Sequence, residues 1–235
     1  MAKGLQRKGI ARRNKMLHAA IRLFLENGYE KTTTASIAKE AGMAPSSFFA
    51  AFESKEALLL ILVKVMFSRQ FESADQFGGG EKDPVLLYSI ETALQIYIAE
   101  LSEPLRDLYV TAYSLPTTSE YLYNSMAPRL QQLFSEYLPE AEQKDFYEMD
   151  IASAGIMRAY MAKKCDVYFT IENKLTRFLQ SSLTLYSVPK QVQLQITDRI
   201  LKMDLQGYAE QIIQKLVGLS QAGIPLVPEE ENGRA

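Results

Sequence analysis

The stretch Thr32–Leu58, TTTASIAKEAGMAPSSFFAAFESKEAL, decides the fold. Within it Gly42 follows Ala38 by four residues, and Phe48 follows Gly42 by six. Two short helices that touch need a small residue where they meet, a glycine for the positive-φ turn between them, and an apolar residue that ties the second helix to the core. Ala38, Gly42 and Phe48 meet these needs, and Ile37 and Met43 are available for the shared core. Thr33 is placed to cap the first helix. Pro45 suits the opening of the second, whose apolar residues are Phe48, Phe49 and Phe52. Ser54 caps a further helix with Glu56 in its first turn, where the helix dipole favours an acid. The spacing is that of a helix-turn-helix, which holds its second helix proud so that its first residues can enter a major groove. A compact helical hairpin can also carry Ala and Gly at these positions, so the flanking sequence has to separate the two.

Upstream lies a basic arm. From Met1 to Arg22 there are seven basic residues, Lys3, Arg7, Lys8, Arg12, Arg13, Lys15 and Arg22, and no acid. Up to Glu56 the count is ten basic against five acidic, so a formal net charge of -2 hides about +5 at the N-terminal end and about -7 elsewhere. The basic end is where a polyanion would be held. On charge alone Arg7, Lys8, Arg12 and Arg13 are candidates for phosphate or minor-groove contacts. Leu17, Ala20, Ile21, Phe24 and Leu25 recur at helical spacing, and Asn27-Gly28 closes that helix.

Downstream the reading is all-α. The helix after Ser54 is expected to run to about Gln76, and Gly78-Gly79-Gly80 to be a linker. Neither a preceding strand nor a following Gly-Lys-Ser/Thr makes those glycines a phosphate loop. Asp83-Pro84, Glu103-Pro104, Leu138-Pro139 and Val188-Pro189 are expected helix entries, and Pro128 is expected to kink or divide a helix. The expected organisation is a basic arm and three-helix helix-turn-helix domain over residues 1–54, a larger helical domain over 55–222 for ligand binding and dimerisation, and a disordered tail over 223–235.

Thr32–Leu58 and the helix before it resemble the DNA-binding domain of the TetR (tetracycline repressor) family. The resemblance rests on Asn27-Gly28-Tyr29, Thr32-Thr33-Thr34, Ile37-Ala38, Ala41-Gly42-Met43 and Phe52-Glu53-Ser54-Lys55-Glu56-Ala57-Leu58. It implies backbone contacts to DNA from Thr33 and Thr34, a recognition helix opening at Pro45, Ser46 and Ser47, a DNA-binding position at Phe49, and a phosphate-contacting Lys55. The chain departs from the family pattern at Ala44, Phe49, Ala50 and Ala51, where a capping Ser or Thr, a Tyr, and often His or Tyr are usual. Fewer polar groups on this helix imply looser direct readout, with contacts from the alanines to thymine methyls.

In the larger domain tyrosine and methionine are the candidate pocket residues. An aromatic wall with a hydroxyl orients a ligand, and thioethers adapt to its shape. Tyr109, Tyr113, Met126, Met157 and Met161 are candidates for an effector site that takes a partly apolar or aromatic small molecule, with Arg158 available for an anionic group. Met157 and Met161 also follow plain core spacing, and Arg158 equally suits solvent. Toward the C-terminus, Phe178, Leu179, Leu183 and Tyr186 form one apolar stripe and Ile196, Ile200, Tyr208 and Ile212 fall on another. The resemblance implies a two-fold four-helix dimer interface in this region; a self-contained helical core is the other reading.

With 47% hydrophobic residues the chain can bury a core, and no apolar run reaches the roughly 18 residues of a membrane span. A single cysteine, Cys165, excludes an intrachain disulfide, and a single histidine, His18, removes most metal chemistry. No metal site or cofactor is expected. The chain reads as cytoplasmic. No nucleophile elbow or phosphate loop supports an enzyme. The expectation is a dimeric repressor released from a palindromic double-stranded DNA operator by a small molecule; the alternative is an interaction protein of the same shape with weak, non-specific DNA binding.

Overall fold

The computed structural model describes the backbone of residues 2–77 and 83–226 and the side chains of 9–67 and 83–226. The described residues form ten α-helices and one 3-10 turn, with no strand. Helix α1 (Ala2–Asn27) buries Met16, Leu17, Ala20 and Phe24 and ends at Gly28, whose φ is +80°. Helix α2 (Thr34–Glu40) is capped by Thr33: its hydroxyl accepts the Ser36 N–H at 3.0 Å, and the Ser36 hydroxyl accepts the Thr33 N–H at 3.0 Å. Gly42, at φ +73°, makes the turn into Pro45–Ser47.

The expected recognition helix is shorter than its spacing suggested. Pro45–Ser47 is a single 3-10 turn, followed by hydrogen-bonded turns through Ala51 rather than a regular helix. Ala44 offers no side-chain oxygen to the free N–H groups of a first α-turn, and tighter bonds from Ser47 N–H to Ala44 O and Phe48 N–H to Pro45 O take their place. Phe49, read as one of the segment's three apolar residues, is 65% exposed, whereas Phe48 and Phe52 are buried.

Helix α3 (Lys55–Phe77) opens where Ser54 caps the Ala57 N–H at 3.0 Å. It does not fall cleanly to one side of a boundary at residue 54. Leu58, Leu59, Leu62, Val63 and Phe67 share one core with α1, α2, Phe48 and Phe52, and that core takes in Leu108, Ala112 and Leu122 from farther along the chain. The expected linker Gly78–Gly80 lies outside the described residues.

The second core surrounds α4 (Pro84–Leu101), which begins at an Asp83 cap and is buried on nearly every side. Around it stand α5 (Glu103–Ala112), α6 (Pro116–Phe134), α7 (Gln143–Ala162), α8 (Ile171–Leu185), α9 (Lys190–Leu201) and α10 (Leu205–Ala222). Pro128 lies inside α6 without dividing it. Pro139 does not open a helix: α7 begins four residues later, capped by Glu142. At the centre, the Tyr88 hydroxyl bonds to the hydroxyls of Ser153 (3.0 Å) and Ser182 (2.8 Å), and Phe134 stacks on Tyr186 at 4.3 Å. Lys174 is fully buried, with its ammonium on Glu100 and the Lys163 carbonyl oxygen.

Two sequence expectations are corrected by this core. Phe178, Leu179, Leu183, Tyr186, Ile196 and Ile200 are buried within the chain itself, in the core that surrounds α4; of the expected interface only Tyr208 and Ile212 remain half-buried. The expected disorder of 223–235 does not hold for its first residues. Gly223 caps α10 at φ +65°, Leu226 is buried, and the Leu226 N–H donates to Asn14 Oδ1 at 3.0 Å. Residues 227–235 lie outside the described residues. Among the described helices none is long and apolar enough to cross a membrane.

Candidate nucleic-acid interface and the cavity behind it

The helix-turn-helix presents its candidate contacts in two grades. Thr33, Pro45, Ser46 and Phe49 are exposed, and Thr34 and Ser47 are half-buried. Phe48 is fully buried beneath them and meets the Phe49 ring edge-on at 5.5 Å, so the outer ring is propped by the inner one. Ile37 and Ala38 are also fully buried, which fixes α2 against the turn. Arg22 on α1 pairs with Glu40 at the end of α2 at 2.9 Å, a partly exposed bridge between the two helices.

The basic candidates are placed differently. The Arg13 guanidinium lies over the Phe52 ring, 5.2 Å from its centroid, and both Arg12 and Arg13 are half-buried. The Arg7 and Lys8 side chains lie outside the described ones. Lys55 is drawn inward: its ammonium donates to the carbonyl oxygens of Tyr29 (2.9 Å) and Thr32 (3.0 Å) and sits 3.9 Å from the centre of the Tyr29 ring. Burial pulls its pKa down, against the opposing pull of Glu30 and Asp107. Two of its three donors hold the loop between α1 and α2, so its first role is to shape that loop.

The same loop is held from the other side. Asp107 on α5 accepts the backbone N–H of Tyr29 at 2.6 Å and that of Glu30 at 3.3 Å. A Cβ on Gly28 would stand 2.6 Å from Asp107 Oδ2, so glycine is required there both for its positive φ and for this approach. α5 therefore touches the helix-turn-helix with Asp107 and the interior with Leu108, Tyr109 and Ala112.

That interior holds two adjoining cavities with empty volumes, mouths included, of about 460 and 430 Å3, both bordered by Phe67, Gln95, Tyr113 and Leu122. The first is apolar and takes in Tyr109 and Met66. The second is lined by Tyr113, Met126 and Met157 together with Glu91, Thr92, Asp150, Ser153 and Phe178. Four of the six expected effector residues thus come together. Arg158 faces outward and Met161 is fully buried in the core, so neither lines these cavities. The Tyr113 hydroxyl donates to Gln95 Oε1 at 2.6 Å, and its pKa is held well above the usual phenol range by burial and by the nearby Asp150. Asp150 and Glu91 escaped the sequence reading. Asp150 had a visible signal, since it falls on the same helical stripe as Phe146, Ala154, Met157 and Met161.

Comparison with known proteins agrees with the local geometry. Residues 16–62 match the family model described as bacterial regulatory proteins, tetR family. The N-terminal domain belongs to the tetR family. The matched span covers α1 from Met16, α2, the Pro45–Ser47 turn and the start of α3. The chain is also similar to two proteins of Bacillus subtilis (strain 168). It is 36% identical over 56 residues to the uncharacterized HTH-type transcriptional regulator YuxN, across 24% of this chain and 19% of that protein. It is 30% identical over 103 residues to the uncharacterized HTH-type transcriptional regulator YvdT, across 43% of this chain and 50% of that protein. The similarity thus spans at most half the length of these curated relatives.

Proposed function

We propose that this chain, with its tetR-family N-terminal segment, is a DNA-binding transcription regulator rather than an enzyme, and that it acts as a dimeric repressor released from a palindromic operator by a small molecule. The observation that carries the reading is α5, which borders the cavity with Tyr109 and Ala112 and holds the α1–α2 loop with Asp107. A ligand that moves this helix moves the base of the helix-turn-helix. Ligand-bound and ligand-free forms then differ in how well two recognition turns match successive major grooves, and the ligand shifts the population between them.

Ser46, Ser47 and Phe49 are the groove-facing candidates, with Thr33 and Thr34 at the backbone. Exposed Phe49 suits a thymine methyl, the contact left to a segment poor in polar side chains. Two copies are needed because one short turn offers few contacts. The outer face of α7 is the surface we assign to dimerisation, where Ile151 is 43% exposed beside exposed Ala152 and Ala159. The same exposed Phe49 motivates a second reading, an interaction protein whose apolar tip meets a protein partner.

Selection of bound fragments from the genome of the source organism tests the main reading, with the mass of the complex measured by sedimentation. A shared palindrome bound by two chains supports it. Fragments with no shared sequence, bound with a steep salt dependence, favour the second reading.

A further inference from the structure

Asp150 lies inside α7, 7% exposed, and borders the second cavity. Among the described residues no group donates a hydrogen bond to its carboxyl, and no Lys, Arg or His lines the cavity. The other acid of the lining, Glu91, is already matched by Arg129. Among the described residues the lining therefore holds one acid more than its bases neutralise. A buried carboxyl without a donor is unfavourable to the folded chain, and such a group persists readily where a ligand completes it.

The walls suit the same kind of guest. Tyr113, Phe178 and Phe67 line it with aromatic rings, a residue type whose π-surface attracts a cation, and Met126 and Met157 add polarizable thioethers. The adjoining cavity is almost wholly apolar, with Leu59, Leu62 and Leu108 in its lining, and accepts a hydrocarbon body. Burial pushes the Asp150 carboxyl up to about 7, so an arriving positive charge readily draws off its proton.

We propose that the cavity binds an organic cation, a protonated amine on an aromatic or aliphatic body, with Asp150 as its counter-ion. This rests on reading the cavity as the effector site, and it adds the chemical class of the effector. The amine donates N–H to the Asp150 carboxylate, and its body extends between Tyr113 and Met126 toward the apolar chamber.

The test uses three probes of one shape and different charge: phenylbutylammonium, phenylbutanol and phenylpentanoate. Each is titrated by calorimetry into the full-length, DNA-free protein and into the Asp150→Asn and Asp150→Glu variants. The ammonium should bind wild type at least about tenfold tighter than the alcohol, the worth of one charge-assisted hydrogen bond. Asp150→Asn should erase that ratio and Asp150→Glu should keep most of it. Unchanged binding of the alcohol to Asp150→Asn shows that the cavity is still folded. The proposal is overturned if the alcohol or the carboxylate binds wild type as tightly as the ammonium, if Asp150→Asn keeps the ratio, or if the ammonium does not bind. Release of a labelled duplex is read separately. Charge-selective binding without release leaves the ligand class standing and removes the effector role.

Discussion

The Asp107 carboxylate on α5 accepts the backbone N–H of Tyr29 at 2.6 Å, across 78 residues of chain, and so ties the helix that borders the cavity to the loop that orients the helix-turn-helix. From the opposite side Lys55 donates to the Tyr29 carbonyl oxygen at 2.9 Å. One peptide segment is thus gripped at both its donor and its acceptor, and the carboxylate that grips it stands on α5, whose Leu105 and Tyr109 belong to the larger core. Asp107→Ala removes this grip and leaves the Tyr29 N–H unmatched, at a cost of about 1–2 kcal/mol. Chemical denaturation should show that loss. Under the proposed mechanism the variant still binds operator DNA but releases it less completely when ligand is added.

Gly28 sits against the same carboxylate. Gly28→Ala combines a positive-φ penalty with a Cβ placed 2.6 Å from Asp107 Oδ2, so it should destabilise by more than the roughly 1 kcal/mol that αL strain alone costs. In the Asp107→Ala background that excess should shrink. A double-mutant cycle in urea measures the difference, and strict additivity would count against the contact.

The neighbouring rings Phe48 and Phe49 should behave in opposite ways. Phe48 is fully buried, and Phe48→Ala should cost about 3–5 kcal/mol and unravel the turn. Phe49 is 65% exposed, and Phe49→Ala should change stability by less than about 0.5 kcal/mol while weakening DNA binding. Thermal melts and a DNA titration on each variant separate scaffold from contact.

Asp150 sets a pH dependence. Its pKa in the folded chain is raised by burial to about 7, from an ordinary 3.8. A raised carboxyl favours folding while protonated; that contribution is full below about 4, fades as pH rises toward 7, and is absent above. The facing titratable groups are Glu91, itself paired with Arg129, and the phenols Tyr88, Tyr113 and Tyr186. Asp150→Asn should therefore stabilise the ligand-free protein at pH 8 by up to about 4 kcal/mol and by much less at pH 5. Urea midpoints at the two pH values check this; an equal change at both would contradict the buried, unpaired carboxyl.

The local signals that sequence carries well are those set by one or two residues. Thr33 and Ser54 cap where their hydroxyls can reach a free N–H, and Gly28 and Gly42 adopt positive φ because a side chain disfavours it. Long-range partnership was less legible. The stripe through Phe178 and Leu183 has the same spacing whether it meets a second chain or α4, and only the all-round burial of α4 decides for the latter. Lys55 reads as a surface cation until the Tyr29 and Thr32 carbonyls are seen to converge on it. Asp150 shows a helical register but not its neighbours, so its place on the Phe146–Met157 stripe gains meaning only beside Tyr113 and Met126.

The central claim is that the exposed turn at Ser46 and Ser47 reads DNA sequence. Titration of a genome-selected duplex against its scrambled version, at fixed physiological salt, with wild type and with Ser46→Glu/Ser47→Glu, tests it most directly. The account predicts that wild type prefers the selected duplex by at least about a thousandfold, and that the variant, its fold checked by a thermal melt because Ser47 is half-buried, loses that preference. Equal affinity of wild type for both duplexes, or a variant that keeps the preference, would contradict it.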